Sequence, residues 1–376
     1  MFQYVVRRVL LFIPTLFLIT VISFGISRLA PGDPAEMKAG VGTEGAQRGN
    51  QQLNEQMILQ IRAAFDLDKP IWYWTLFTDD KDQNGQLLPI GERLTFRWNG
   101  SENQYHRWLG LPNEDGKRGL LQLDFGKSFQ DQRPVMDKIM ERLPVTVSLA
   151  VLAILIAYII AVPIGIFSAS RPKSKTDKVV STLLFVIYSL PGFWIGTMLI
   201  IFFGGGDFLD WFPNSGLHSM DYSEDWGWWD TTMDYLWHLT LPLVVSTYAS
   251  LAYLSRQMRG SMLEVIRQDY IRTARAKGLS ERVVVLKHAL RNSLIPIITM
   301  LASILPALVG GSVIVETIFT VPGMGQLAFQ ALTARDYPVV LAEFTLVAVM
   351  TLAGILLADI LYSVVDPRIS FSKKAA

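Results

Sequence analysis

Cysteine is absent from this 376-residue chain, which excludes structural disulfides and thiolate metal sites. Histidine is scarce: His106, His218, His238 and His288 are the full set, and no two stand at the i, i+3 or i, i+4 spacing that puts paired ligands on one helix face. No metal site is expected from them. A complete phosphate loop is also missing. Gly126, Lys127 and Ser128 match the end of G-x-x-x-x-G-K-[ST], but the position that needs the first glycine is Leu121. No cofactor is expected on this chain.

Charge is missing where its absence matters most. Residues 145–169, 179–206 and 292–315 contain no Asp, Glu, Lys or Arg, and each exceeds the roughly 20 residues a helix needs to cross the hydrocarbon of a bilayer. Residues 9–26 and 239–255 are uncharged but shorter, and 338–365 is long enough but carries Glu343 and Asp359. Six spans result. Lipid admits only helices or closed barrels, and runs this long without period-2 alternation exclude the barrel. The expected fold is an all-α polytopic bundle of six transmembrane helices.

Charge also orients it. Short basic segments occur at Arg7 and Arg8, at 171–178, at 256–291 and at 368–374, alternating as cytoplasmic loops should. The 207–234 loop has seven acids and no Lys or Arg, together with Trp211, Trp226, Trp228 and Trp229, as an external interfacial loop would. Both termini are expected in the cytoplasm. Residues 31–142, with 14 basic and 17 acidic residues, become a large extracytoplasmic insert between the first two helices. The expected division is 1–30 (first helix), 31–142 (insert), 143–368 (five-helix core with a basic loop at 256–293) and 369–376 (cytoplasmic tail). The first helix runs into Arg28 and Pro31 without a small-residue cleavage pattern and is read as retained.

Within the insert, Met57, Ile58, Ile61 and Phe65 have helical spacing, and 79–119 reads as turns and short strands. Asp80, Asp82, Asn84 and Gly85 fit the start of D-x-[DN]-x-[DN]-G, but Gly91 stands where calcium wants a bidentate acid. A solvated acidic turn is the simpler reading, with a weak calcium loop as the alternative.

The basic segment 269–296, DYIRTARAKGLSERVVVLKHALRNSLIP, cannot cross a bilayer, yet spans flank it. Between Arg256 and Arg291 there are nine Lys or Arg against three acids. Gly278 stops a first helix and Ser280 is positioned to cap a second running through His288. An ordinary positive-inside loop would share this composition.

The segment resembles the cytoplasmic coupling loop of ATP-binding-cassette (ABC) importer permeases of the dipeptide, oligopeptide and nickel branch, through Tyr270, Thr273, Ala274, Ala276, Lys277, Gly278, Leu279, His288, Ala289, Leu290, Arg291, Asn292 and Pro296. RRVL at 7–10, PGDP at 31–34, FDLDKP at 65–70, DFGKSF at 124–129, ERLPVTVSLA at 141–150 and SLPGFWIG at 189–196 are similar to the same family in order. So are WFPNSG at 211–216, VIVETIFTVPGMG at 313–325, ARDYPVV at 334–340 and DPRI at 366–369. The resemblance covers nearly the whole chain except 79–119. One departure is Arg272-Thr273-Ala274, where the broad importer motif has Glu-Ala-Ala.

The resemblance implies a type I, MetI-like permease subunit forming half of a pathway for di- or oligopeptides. Its implied partners are a second homologous permease, two ATP-binding subunits, an extracytoplasmic substrate-binding protein and the lipid of a bacterial inner membrane; no nucleic acid is expected. It implies that Arg272, Arg275, Lys277 and Arg291 meet an ATP-binding subunit, with Gly278 allowing close approach. Nickel or another small solute is an alternative cargo. Gly310, Gly311 and Glu316, at the end of the fifth span, could line the pathway, or Glu316 could be paired within the chain. A proton-coupled transporter would need ionisable residues deep in several spans, whereas five of the six cores have none.

Overall fold

The structure, a computed structural model, describes residues 2–29, 32–39, 51–75, 96–112, 116, 118–205, 208–301 and 304–365. Asp80, Asp82, Asn84 and the 369–376 tail lie outside them. The elements run α1 (Phe2–Leu29), α2 (Pro34–Lys38), α3 (Gln51–Ala64), β1 (Trp74–Thr75), β2 (Arg97–Trp98), α4 (Gln104–Leu109), α5 (Val135–Ser170), α6 (Lys175–Ser189), α7 (Gly192–Leu199) and α8 (Trp228–Ile266). Then follow α9 (Asp269–Ala276), α10 (Glu281–Val283), a wide π-turn (Val284–Ala289), α11 (Leu290–Ser293), α12 (Ile295–Leu301), α13 (Ile304–Gly310), α14 (Val313–Ile318), α15 (Met324–Thr333) and α16 (Tyr337–Val365).

Three of these helices are long and apolar enough to cross a membrane: Gln3–Leu29, Val135–Ser170 and Tyr337–Leu361. The expected span at 179–206 is broken instead. Pro191 disfavours the α conformation at Leu190, which adopts φ −82°, ψ 132°, and the chain bends by 91° between Lys175–Ser189 and Gly192–Gly204. The pair makes a fourth span if taken as one. The expected 239–255 span lies inside the 39-residue α8, where Thr240 and Ser246 return their hydroxyls to carbonyls four residues back. Within the expected span at 292–315 the described residues give the helices Ile295–Leu301, Ile304–Gly310 and Val313–Ile318, and the helical path is interrupted at Gly311, which takes φ +62°. Helix length and composition alone therefore stop short of six spans.

The contacts divide the chain into two compact units. The first comprises Met1–Leu16, Arg142–Leu327 and Leu346–Ala376. Two of its clusters gather Met258, Met262, Ile271, Val284 and Ala289 in one place and Leu149, Leu239, Val315, Phe319 and Val321 in another. The second comprises Phe17–Glu141 and Ala328–Thr345. Its core is aromatic: Phe24 is fully buried against Trp72, Tyr105 and Trp108, at ring-centre distances of 5.4, 5.2 and 5.5 Å. Tyr105 also meets Thr20 by a 2.9 Å hydroxyl contact. The two-residue strands pair antiparallel, Trp74 opposite Trp98. Asn103 caps α4 by accepting from the His106 amide, and Gly110 closes it in the left-handed region.

Candidate functional site: a two-helix handle

After α8 the chain makes a compact handle. Helix α9 has apolar side chains at Ile271 and Ala274, an i, i+3 pair, and both are buried with Val284, Val285 and Ala289 from the returning arm. Its other face is polar and exposed. The helix ends because Gly278 takes φ +77°, with its amide donating to the Arg275 carbonyl and the Leu279 amide to that of Ala274. Those two bonds are a Schellman closure, which satisfies carbonyls a helix end would leave bare. Ser280 occupies the N-cap position of α10 without a side-chain cap bond; its carbonyl instead receives the Val283 and Val284 amides.

Two clasps hold the arms. Arg275 and Glu281 form a two-pronged ion pair across the turn, Nε to Oε2 at 3.0 Å and Nη2 to Oε1 at 2.6 Å. The hydrogen bond from Arg275 holds the Glu281 carboxyl below its ordinary range. Asn292 donates to the Tyr270 hydroxyl at 2.7 Å, tying α11 back to α9. The side chains of Arg272 and Thr273 both bond to Asp269 on their own helix, at 3.3 and 3.0 Å. Arg272, Lys277 and Arg291 are exposed, and His288 is half-buried in the π-turn.

The tip is not purely ionic. Tyr270, Leu279, Val283 and Leu286 are exposed at 43, 40, 37 and 47%. Val283 to Leu286 reads as one apolar run, which hides the fact that Val284 and Val285 face the core while the flanking two face out. The available signal was the helical period, which cannot turn all four inward. Among the described residues, none apart from its chain neighbours comes within 4 Å of where a Gly278 side chain would begin, so the space beyond that turn is open.

Sequence reasoning also missed the handle's root. Asp177, 4% exposed, accepts from Arg259 Nε and Nη2 at 2.8 and 2.7 Å, from the Lys173 amide at 2.9 Å, and from Ser168. Arg259 had been counted only as one basic residue among nine.

Glu316 sits elsewhere and faces inward. It is fully buried, and its carboxylate accepts from the Ser312 and Gln326 amides at 3.0 and 2.7 Å and from Thr146 at 3.2 Å. Thr146 in turn accepts from the Met324 amide at 2.7 Å. A Cβ on Gly311 or Gly323 would stand 2.4 Å from the Glu316 carboxyl group, and Gly311 has φ +62°. Gly310 is looser, facing Val347 at 3.6 Å. Glu316 thus anchors the Val-Pro-Gly-Met-Gly loop from within.

Two of the histidines, His218 and His238, share an acid neighbour that spacing between histidines could not reveal. Asp234 accepts from His218 at 2.8 Å and lies 3.3 Å from His238. Among the described residues no group of three or more His, Asp or Glu is arranged to hold a metal ion.

Residues 161–371 match the family described as binding-protein-dependent transport system inner membrane component. The chain is 37% identical over 372 residues to the oligopeptide transport system permease protein AppB of Bacillus subtilis, covering 99% of this chain and all of that one. It is 33% identical over 390 residues to the dipeptide transport system permease protein DppB of Escherichia coli, with 99 and 100% covered. The peptidoglycan transport system permease protein YejB of Agrobacterium fabrum is 32% identical, with 99% of each covered. Among solved structures, a chain of the inward-facing MetNI methionine ABC transporter aligns with 20% identity and a TM-score of 0.45, covering 61% of this chain and 97% of that one.

Proposed function

This chain belongs to the family of binding-protein-dependent transport system inner membrane components, and from that premise we propose how its handle works. The chain is a permease subunit of an ABC importer for peptides, a multi-pass inner-membrane protein and not an enzyme. Family membership implies ATP-hydrolysing, substrate-binding and permease partners. The finer reading is that the loop 256–293, carried by α9 to α11, docks on one of two ATP-binding subunits, while a second homologous permease completes the pathway.

The observation that supports this most is the composition of the tip. An apolar patch of Tyr270, Leu279, Val283 and Leu286 rimmed by Arg272, Lys277 and Arg282 is the arrangement of a protein interface, with a desolvating centre and a charged edge. A loop that only met lipid headgroups would gain from the cations but not from the patch. ATP-driven closure of the partner subunits pulls the handle, and the spans reorient to pass substrate inward. Topologically the reading takes α1, α5, the bent α6–α7 pair, α8, the broken α12–α14 stretch and α16 as six spans. Both termini are then cytoplasmic, 31–142 is extracytoplasmic, and the acidic, Trp-rich 207–234 loop meets the binding protein.

Uptake of a labelled tripeptide into vesicles holding the assembled transporter tests it. A hydrolysis-dead ATP-binding subunit is expected to abolish uptake, and persistent transport refutes the reading.

A further inference from the structure

The second unit contains a half-open cavity of about 400 Å³ that the transport reading does not use. Arg28, Arg107, Arg118 and Lys127 line it, against the carboxylates of Asp66 and Asp124. Both acids are engaged: Asp66 lies 3.2 Å from Arg107, and Asp124 accepts from the Gly126 amide at 2.9 Å. Arg28, Arg118 and Lys127 make no ion pair with a described residue. The Arg28 guanidinium is held between the rings of Phe24 and Tyr337, at 5.1 and 5.0 Å, and its Nε is buried without a hydrogen-bond partner. Gln104, 7% exposed, donates from its amide nitrogen to the Lys69 carbonyl at 2.6 Å, while its Oε1, also buried, receives no donor. The cavity therefore offers unspent positive charge beside one unspent acceptor.

Its level is set by two helices. Arg28 stands in the last turn of the span Gln3–Leu29, and Tyr337, which also lines the cavity, is the first residue of the span Tyr337–Leu361. Both belong where apolar helix meets water. Below Arg28, Ile22 and Ile26 are 50 and 60% exposed, a greasy surface suited to acyl chains.

We propose that this cavity binds the headgroup of an anionic phospholipid carrying a hydroxyl donor, as phosphatidylglycerol does. The phosphate meets Arg28, Arg118 and Lys127, and the glycerol hydroxyl donates to Gln104 Oε1. A soluble anion would satisfy the cations but has no use for the exposed apolar strip of α1. The proposal rests on α1 being a membrane span and not on the coupling role of the handle, so either can fail without the other.

Native mass spectrometry of the full chain, released from micelles with equal amounts of dioleoylphosphatidylglycerol and dioleoylphosphatidylcholine, tests it. One retained phosphatidylglycerol per chain is expected, with occupancy reduced about fivefold by Arg28→Gln and by Arg118→Gln but not by Arg7→Gln at the other end of α1. Gln104→Leu should narrow the preference for phosphatidylglycerol over phosphatidic acid. Equal retention of both lipids, or unchanged occupancy in the arginine variants, overturns the site. Displacement by millimolar inorganic phosphate would assign it to a free anion, and displacement by trialanine to a peptide carboxylate; both results overturn the lipid. Arg118 and Lys127 are exposed, so their variants decide the matter should Arg28→Gln misfold.

Discussion

The handle at 269–293 and the loop gripped by Glu316 are built from the same materials, glycine turns beside charge, and use them in opposite directions. Around Gly278 the chain leaves open space and points Arg272 and Lys277 outward. Around Gly311 and Gly323 the vacant Cβ positions are filled by a carboxylate that takes backbone amides. Gly278 leaves room for a close approach, whereas Gly311 and Gly323, pressed against a buried acid, make room for an internal brace. Motif composition does not distinguish them; direction does.

The contrast breaks first at the brace. Glu316→Ala strands the Ser312 and Gln326 amides in a buried site and should cost about 3 kcal/mol or more, read as a lowered thermal unfolding midpoint in detergent. If the midpoint holds, Glu316 is no brace and a role in the pathway regains ground. Gly278→Val comes next. Its strain is that of a β-branched residue at positive φ, about 1–2 kcal/mol, with no clash to add. The protein should insert and fold while ATP hydrolysis by its partners no longer drives uptake. Gly278→Asn, tolerated in the left-handed region, should restore much of the coupling, and a Val variant with normal uptake would count against the docking role.

Smaller in stability but diagnostic of direction is Leu286→Asp. At an exposed site the substitution should change stability by no more than about 0.5 kcal/mol. Uptake should nevertheless fall sharply, because the charge would enter a desolvated interface; unaffected uptake would make the patch incidental. The smallest effect belongs to Glu281→Gln. Glu281 has its carboxyl depressed in the fold, so its pairing with Arg275 stabilises above the ordinary carboxylate range near 4.5 and is lost as pH falls through the lower folded value. For so exposed a pair that is at most about 1 kcal/mol, visible at pH 7 and gone in strong acid. Hydrogen exchange of the Gly278 and Leu279 amides in the wild type and the Gln variant should show the difference at pH 7.

Much of this was legible in the sequence because the governing signals are local. Ile271 and Ala274 at i, i+3, Gly278 at a helix end and Ser280 after it are read within one turn of helix, and the handle follows. Pro191 offers a local signal for the break between α6 and α7 too, but the uncharged run 179–206 hides it by reading as one continuous span. What stayed hidden depends on distance along the chain. Nothing near Asp177 announces Arg259, 82 residues on, and nothing near Thr146 announces Glu316. The apolar run 283–286 was ambiguous for a different reason: its hydrophobicity is uniform while its burial alternates. The 292–315 stretch reads as one uninterrupted span because hydropathy ignores the Gly310-Gly311 pair, where the helix Ile304–Gly310 ends.

Helix α8 grips α6 at two places. Arg259 holds Asp177 near the start of α6, and the Tyr248 hydroxyl donates at 2.9 Å to the Leu190 carbonyl at its end. The grips are 11 residues apart on α8, about 16 Å along its axis. Two pins through a pair of rods remove sliding and leave rolling about the line between them as the motion of least cost. On the proposed coupling, a tug on the end of α8 that carries the handle would reach the bend at Pro191 as a turn rather than a shift.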